Sequence, residues 1–228
     1  MDPKVMREQA IREAKTGLIL NAARKVFSKS SFSEARLEDI AAAAGFSKAA
    51  LYSYYADKEE IFLSLAICDL EKLCQQLSRA IDPDLSFIKN LEIMLKTTFG
   101  FFGENFALLL SVANFQSACS LDREKITENH RRLLEELPKK FHRLLDLQIA
   151  LLHTARQRGE ITNAIEDVQL ANYLSALVRG ILFQWKLSGK MGDAGREIHQ
   201  LLAFMANGLG CRAAGASSNT EEQSRGAL

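Results

Sequence analysis

The sequence predicts an all-α fold with two helical regions. Only three prolines occur in 228 residues, and long stretches carry apolar residues at steps of three and four. This spacing is typical of amphipathic helices, and no segment shows a convincing strand pattern. A hydrophobic content of 47% with 25% charged residues is ordinary for a globular protein. No apolar run reaches the about 18 residues of a membrane-spanning helix, so no contact with a membrane is expected.

The first helix is predicted from about Lys4 to Ser28. Its apolar residues recur with the spacing of one buried helix face. They are Ile19, Ala22, Ala23, Val26 and Phe27.

Residues 37–58, LEDIAAAAGFSKAALYSYYADK, have the spacing of two short helices that cross through a tight turn. Ala41 is small enough for close helix approach, and Gly45 can adopt the left-handed conformation that the turn requires. Leu51, six residues later, is expected to hold the second helix in the core. This arrangement is a helix-turn-helix, and it indicates DNA binding.

The flanking residues strengthen this interpretation. ILNAARKVF, Phe32 and LEDIAAAAGFSKAALYSYYADKEEIF make the stretch from Ile19 to Leu65 resemble the N-terminal domain of the TetR family of transcriptional regulators. Ser31 stands where the family usually has Gly, and Ala35 where it has Thr. The missing hydroxyl should cost the second helix a cap of about 1 kcal/mol unless Ser33 replaces it.

The resemblance implies three parts of the chain. Residues 1–64 would form the DNA-binding domain, residues 65–211 a helical ligand-binding and dimerisation domain, and residues 212–228 a disordered tail. It also implies a homodimer that binds a double-stranded DNA operator and an unidentified small-molecule effector, with no cofactor.

The fourth helix should begin at Asp57, with Glu60 reaching back in a capping box, and end near Ile81 before Asp82-Pro83-Asp84. A helix is then expected from about Arg123 to Arg158, kinked or restarted at Pro138. The other expected helices span 86–103, 106–119, 165–188 and 193–209.

Ser47 is placed to cap the recognition helix, whose first turns would enter the major groove. The candidates for base-edge contact are Lys48, Ala49, Ala50, Ser53 and Tyr54. The resemblance implies that Tyr52, Lys58 and Arg36 contact phosphates, which would position the domain without reading sequence. Alternatively, Tyr52 or Tyr54 packs in the small core, as Leu51 and Tyr55 are expected to do.

Aromatic residues concentrate in the second region. The resemblance implies an apolar ligand cavity there, whereas each aromatic residue taken singly is more simply explained as filling a helical core. The predicted lining residues are Phe101, Phe102, Phe115 and Phe183. The last two helices carry more apolar surface than a monomer could cover. The resemblance implies that they form the family's dimer interface, a four-helix bundle made from two helices of each chain. Its predicted residues are Leu170, Leu174, Leu177, Ile181, Leu201, Leu202 and Met205.

Net charge is only +1, but residues 4–58 carry ten basic against six acidic side chains, a net of +4. The N-terminus is charged rather than apolar, so a cytoplasmic location is expected. The four cysteines form no CxxC pair and are predicted to be buried free thiols. His142 and Asp146, four residues apart, could supply two metal ligands, but such a pair is more often a surface contact, and no metal is expected.

No sequence motif suggests catalysis, so the chain is not expected to be an enzyme. The predicted function is that of a ligand-responsive repressor. An activator, or a regulator controlled by a partner protein, would need the same DNA-binding domain. A helical ligand carrier or enzyme with an incidental helix-turn-helix is the alternative from another class.

Overall fold

The computed structural model describes residues 2–30, 32–104, 126–188 and 192–208, and these residues contain helices and loops but no strand. The all-α prediction is therefore confirmed. The predicted helix at 106–119, Phe115, Cys119, Cys211 and the predicted tail lie outside the described residues. The helices are α1 (Pro3–Lys29), α2 (Leu37–Ala44), α3 (Lys48–Tyr52), α4 (Lys58–Ala80), α5 (Phe87–Glu104), α6 (Glu128–Gln157), α7 (Asp167–Leu187) and α8 (Ala194–Gly208).

The first hydrophobic core holds α1, α2 and α3 against the first half of α4. The rings of Phe27, Phe32 and Phe62 meet at its centre, with centroids 5.1–5.7 Å apart. Leu133 and Leu137 of α6 belong to the same core. The start of α6 thus packs directly on the helix-turn-helix region, which ties the two helical regions together through apolar burial as well as through α4.

The turn between α2 and α3 has the predicted geometry. Gly45 adopts the left-handed conformation, with φ 74° and ψ 27°, and Ala41 is buried. The Ser47 hydroxyl accepts a hydrogen bond from the Ala50 amide at 3.1 Å and caps α3. Because Leu51 is buried beneath this cap, the orientation of the five-residue α3 is fixed from both its end and its inner face.

The capping of α2 and α4 agrees only in part with the sequence prediction. Arg36 is the N-cap of α2, and its side chain makes no cap bond. Two acidic residues in the first turn of α2 stabilise the helix instead, because their negative charges lie at the positive end of the helix dipole. In α4, Asp57 accepts from the Glu60 amide at 2.8 Å as predicted, but Glu60 reaches back to the Ala56 amide rather than to that of Asp57.

A second hydrophobic core joins the end of α4 to α5, α6, α7 and α8. α6 continues through Pro138 rather than restarting there, and it ends before Gly159, which has φ 69°. Cys74 is buried and Cys68 half-buried, and both are free thiols. None of the described helices is long and apolar enough to cross a bilayer. The large buried residues of the second core include Leu73, Phe87, Phe99, Leu152, Leu182 and Trp185.

Candidate DNA-binding surface and ligand cavity

The recognition helix presents a small, mostly polar surface to solvent. Ser47, Lys48, Ala49 and Ser53 are exposed, and the Tyr52 ring is 49% exposed. Ala50, which was also predicted to contact bases, is half-buried. The exposed residues form one turn that could enter the major groove of DNA, as a recognition helix must.

Lys48 has an acidic partner in this DNA-free structure. Its ammonium donates to the Glu38 carboxylate of α2 and lies 5.9 Å from the centre of the Tyr52 ring. The bond from Lys48 holds the pKa of Glu38 below its ordinary value and raises the pKa of Lys48. A base or phosphate must therefore compete with Glu38 for this lysine.

Tyr54 and Tyr55 pack against the domain to different extents. The half-buried Tyr54 ring lies between the Arg12 guanidinium, 5.4 Å from its centroid, and the Phe46 ring at 6.0 Å. Tyr55 is buried as predicted, and burial raises its pKa to about 12. The packing interpretation therefore describes Tyr54 better than Tyr52, whose ring stays outside the core.

Lys58 occupies a different environment from the one that a phosphate anchor needs. Its ammonium donates to the carbonyls of Phe32, Ser33 and Ala35 at 2.9, 3.2 and 3.3 Å, and it lies 4.7 Å from the centre of the Phe32 ring. An ammonium has three donors, so these three carbonyls account for all of them. Lys58 thus fixes the loop before α2, whereas the predicted anchor Arg36 is exposed at the start of that helix.

A buried polar cluster joins the first turn of α4 to the first turn of α6. Asp57 accepts from His130 Nε2 at 3.0 Å, and His130 is fully buried. His130 Nδ1 accepts from the Thr127 amide at 3.3 Å, so Nε2 carries the ring hydrogen in the neutral imidazole. Asn129 donates to the buried Glu60 carboxylate. The residues that cap α4, next to the recognition helix, therefore also hold the start of α6.

Sequence analysis did not single out this interdomain cluster. A signal was present, because Thr127 precedes His130 by three residues, and the structure shows a capping box in which the histidine takes the place usually held by Glu or Gln. Its partner Asp57 lies 73 residues away in sequence, and no local pattern reveals such a contact.

A second polar contact lies further along the same pair of helices. Glu71 of α4 accepts from Lys140 at 2.7 Å and from Arg143 at 3.1 Å, both on α6. The hydrogen bond from Lys140 is the main cause that lowers the pKa of the Glu71 carboxyl. Two polar contacts and a shared apolar core thus couple α4 to α6 from their first turns as far as Glu71 and Arg143.

A cavity of about 210 Å³ lies among α4, α5, α6 and α7. Of the predicted lining residues, Phe102 lines it, whereas Phe101 does not and Phe183 is 44% exposed on the outside of α7. Phe183 does not reach the cavity because it lies on the outward face of α7, a helix that is apolar on several faces. The apolar walls include Leu73, Leu91, Met94, Leu95, Leu145, Leu152 and Val178.

A few polar side chains interrupt the apolar wall of this first cavity. The Ser175 hydroxyl donates to the Gln148 amide oxygen at 3.0 Å. His142 Nδ1 donates to the Pro138 carbonyl at 2.7 Å, which leaves its other ring nitrogen as a possible acceptor. The exposed Arg179 adds a cation to the lining. No group of three or more potential metal ligands converges among the described residues.

The predicted dimer residues divide between the core and the outer surface. Leu170, Leu174, Leu201 and Met205 are buried within their own protomer, contrary to the prediction. They fill the second hydrophobic core, because α7 and α8 pack those faces against α5 and α6. The other three remain accessible: Leu177 is exposed, and Ile181 and Leu202 are half-buried.

A different stripe of α7 faces outward. It consists of Tyr173, Leu177, Gly180, Gln184 and Leu187, all exposed and separated by four, three, four and three residues. This spacing is that of the contact seam between helices in bundles and coiled coils. On the neighbouring helix α8 a large aromatic side chain, Phe204, is 63% exposed.

A helix-turn-helix with an exposed recognition turn, joined to a helical domain that contains an apolar cavity, defines a DNA-binding transcriptional regulator. Residues 19–65 match the family model described as bacterial regulatory proteins, tetR family. This match identifies the N-terminal part of the chain as the DNA-binding domain of a TetR-family transcriptional regulator. This family consists of regulators rather than enzymes.

Two curated relatives match along most of the chain. The HTH-type transcriptional repressor BepR of Brucella suis is 27% identical over 177 residues, which cover 76% of this chain and 81% of the relative. The fatty acid metabolism regulator protein of Bacillus subtilis is 21% identical over 192 residues, 84% of this chain and 93% of the relative.

Solved structures share the fold at low sequence identity. FadR from Bacillus subtilis, in complex with stearoyl-CoA, superposes with a TM-score of 0.70 at 16% identity and covers 84% of this chain and 97% of its own. SmeT, the repressor of the Stenotrophomonas maltophilia multidrug efflux pump SmeDEF, gives 0.63 at 21% identity, with coverages of 85% and 89%.

Proposed function

We propose that this protein is a cytoplasmic, homodimeric repressor that leaves a pseudo-palindromic operator when an apolar ligand binds in the first cavity. The observation that carries the proposal is the position of that cavity. Its lining includes residues of α4 and α6, the two helices whose first turns share the buried cluster beside the recognition helix. A ligand that separates or rotates these helices would act on the DNA-binding surface.

The DNA contact is proposed for the exposed residues at the start of the recognition helix. In a dimer, two such helices would occupy successive major grooves about 34 Å apart. Lys48 would supply the cation for a guanine edge or a phosphate, and the Ala49 methyl would suit a thymine methyl. The α3 amides not used by the Ser47 cap, together with Tyr52 and Arg36, would contact phosphates.

The proposed dimer forms through the outward stripe of α7 and the exposed side of α8. Tyr173, Leu177 and Leu187 expose apolar surface that a second copy would cover, and Gly180 would let two α7 helices approach closely. Two helices from each protomer would then form a four-helix bundle. The two-fold axis of such an isologous contact would relate the two DNA-binding domains, as the symmetry of a pseudo-palindromic operator requires.

The proposed ligand class is a long-chain fatty acyl compound. The cavity wall is dominated by leucine, methionine and phenylalanine side chains, which an acyl chain would match. Arg179 and His142 would hold an anionic or hydrogen-bonding head at the cavity opening. The stearoyl-CoA bound to FadR of Bacillus subtilis and the name of the fatty acid metabolism regulator relative support the same class.

A titration of fluorescent DNA from upstream of the protein's own coding region, at two salt concentrations, tests the regulator function. We expect saturable binding that survives competitor DNA and weakens with salt according to the number of phosphates neutralised. Binding that modest salt abolishes, on this and on other candidate promoters, would contradict it. A reporter in a deletion strain then separates repressor from activator, because loss of a repressor raises transcription.

A further inference from the structure

A second cavity of about 220 Å³ lies beside the first, bounded by the end of α4, the loop before α5, the start of α5 and the second half of α6. Among the described residues, Phe87 and Leu151 line both cavities, and the other lining residues belong to one cavity or the other. These two side chains, from α5 and α6, therefore form the partition between the cavities.

The backbone of the partition is fixed, so the partition depends on the two side chains. Phe87 is the first residue of α5, and its amide donates to the Glu160 carboxylate at 2.6 Å. Its ring is buried, whereas Leu151 is half-buried. Shortening either side chain would join the cavities without displacing the helix ends, because Glu160 bonds the Phe87 backbone rather than its ring.

The second cavity suits an apolar chain end rather than a charged group. The Arg158 guanidinium donates to the Pro83 carbonyl at 2.6 Å and to that of Leu85 at 3.3 Å. Asn90 is bonded through both its amide oxygen and its amide nitrogen to the backbone of Asp82. Both side chains are thus bonded to the backbone of the loop before α5. Much of the remaining wall is apolar, from Ile81, Leu85, Leu147 and Ala155.

The volumes of the two cavities also favour an apolar chain end in the second cavity. Each cavity is smaller than the roughly 300–1,000 Å³ of a pocket for a drug-sized ligand, and the two joined would fall within that range. We propose that Phe87 and Leu151 are specificity-determining residues that set the longest acyl chain the domain accepts, by closing the end of the first cavity. This inference rests on the proposed function, because it assumes that an acyl ligand occupies the first cavity.

The test measures the affinity of the full-length protein for saturated acyl-CoA thioesters, from octanoyl- to icosanoyl-CoA, by isothermal titration calorimetry. For the wild type, affinity should rise by about fourfold per added methylene, from about 0.8 kcal/mol per buried group, and then stop rising at a limiting length. In Phe87→Ala and Leu151→Ala, affinity should continue to rise beyond that limit, because the chain end enters the second cavity.

Phe102→Ala is the matched control, because Phe102 lines the first cavity but not the second. It enlarges the first cavity and should leave the limiting length in place while changing affinity at all lengths. If Phe87→Ala fails to fold, Leu151→Ala alone still tests the partition. Circular dichroism measures whether each variant is folded.

An unchanged limiting length in the folded partition variants, or an equal shift in the Phe102 control, would overturn the inference alone. Binding of no acyl-CoA by the wild type would overturn both the inference and the proposed ligand class. A longer limit in either folded partition variant, with none in the control, would support the inference.

Discussion

At the scale of single residues, an ion pair occupies Lys48, the cation that is proposed to contact DNA. Its ammonium is paired with Glu38, and both side chains are about half exposed. The exchange of Glu38 for a phosphate or base edge costs little, because both partners stay hydrated. If Lys48 contacts DNA as proposed, the Glu38 carboxylate would stay close to the DNA and repel its phosphates.

The substitution Glu38→Gln should therefore raise operator affinity. It removes a negative charge and the main partner of Lys48, and the gain should be largest at low salt because salt screens exposed charges. Fluorescence anisotropy at two salt concentrations measures the effect. Glu128→Gln removes the same charge from a more exposed position at the start of α6 and should have no such effect. Equal gains in both variants would mean that only net charge matters.

Lys58 offers a test that separates a structural role from phosphate binding. In Lys58→Met the carbonyls of Phe32, Ser33 and Ala35 lose a charged donor, so the free energy of unfolding should fall by about 1.5–3 kcal/mol without DNA. Urea denaturation measures this loss. The control Lys25→Met removes an exposed charge from the same domain, and unchanged stability in the Lys58 variant would refute the structural role.

At the scale of elements, the contact between α4 and α6 combines a buried cluster with the partly buried ion pairs of Glu71. Asp57 serves both as the cap of α4 and as the acceptor for His130, so a shift of α6 bears directly on the first turn of α4. Because Leu133 and Leu137 of α6 pack in the first core, the two helices are expected to move together.

The substitution His130→Leu should weaken communication between the domains. It removes the bond to Asp57 while keeping an apolar group in the buried site, although the loss of this bond to a charged partner should also lower stability by about 1.5–3 kcal/mol. Ligand affinity should persist, but the ratio of operator affinities without and with ligand should approach one. Anisotropy gives this ratio, Arg131→Leu is the exposed control, and an unaltered ratio in His130→Leu would exclude the cluster from the coupling.

Glu71 makes the stability of this contact dependent on pH. Lys140 lowers the pKa of Glu71 below its ordinary value of 4.5 in the folded protein. The stabilisation is therefore complete above pH 4.5 and is lost as the pH falls through the lowered pKa. Urea denaturation of Glu71→Gln should show a loss of roughly 0.2–1 kcal/mol per ion pair at neutral pH and none at the acid end. A difference that persists in acid would argue for packing instead.

The sequence predicted where the helices begin and end better than which face of each helix is buried. Gly45, Ser47 and Asp57 mark helix ends through local chemistry, so the bounds and the helix-turn-helix followed from residues a few positions apart. α7 is apolar on several faces, and periodicity could not tell that Leu174 faces the core while Tyr173 faces outward. The His130 contact was equally inaccessible, because only the folded chain brings Asp57 beside it.

At the scale of the whole molecule, the outward stripe of α7 is the proposed contact that would bring two DNA-binding domains together. Leu177→Glu places a charge in the proposed seam and should convert the dimer to a monomer, since an unpaired charge cannot be buried there without large cost. Light scattering after size-exclusion chromatography measures the mass. Val168→Glu, which is also exposed but lies off the stripe, should remain dimeric, and a dimeric Leu177→Glu would refute this interface.

The most direct measurement of the central claim is the operator affinity of the full-length protein with and without saturating stearoyl-CoA, by fluorescence anisotropy. Ligand-driven release predicts that affinity falls by roughly 5- to 150-fold, and calorimetry should show that operator DNA weakens stearoyl-CoA binding by the same factor. If stearoyl-CoA binds the protein and operator affinity is unchanged, the cavity and the DNA-binding surface are not coupled through this ligand, and the account is contradicted.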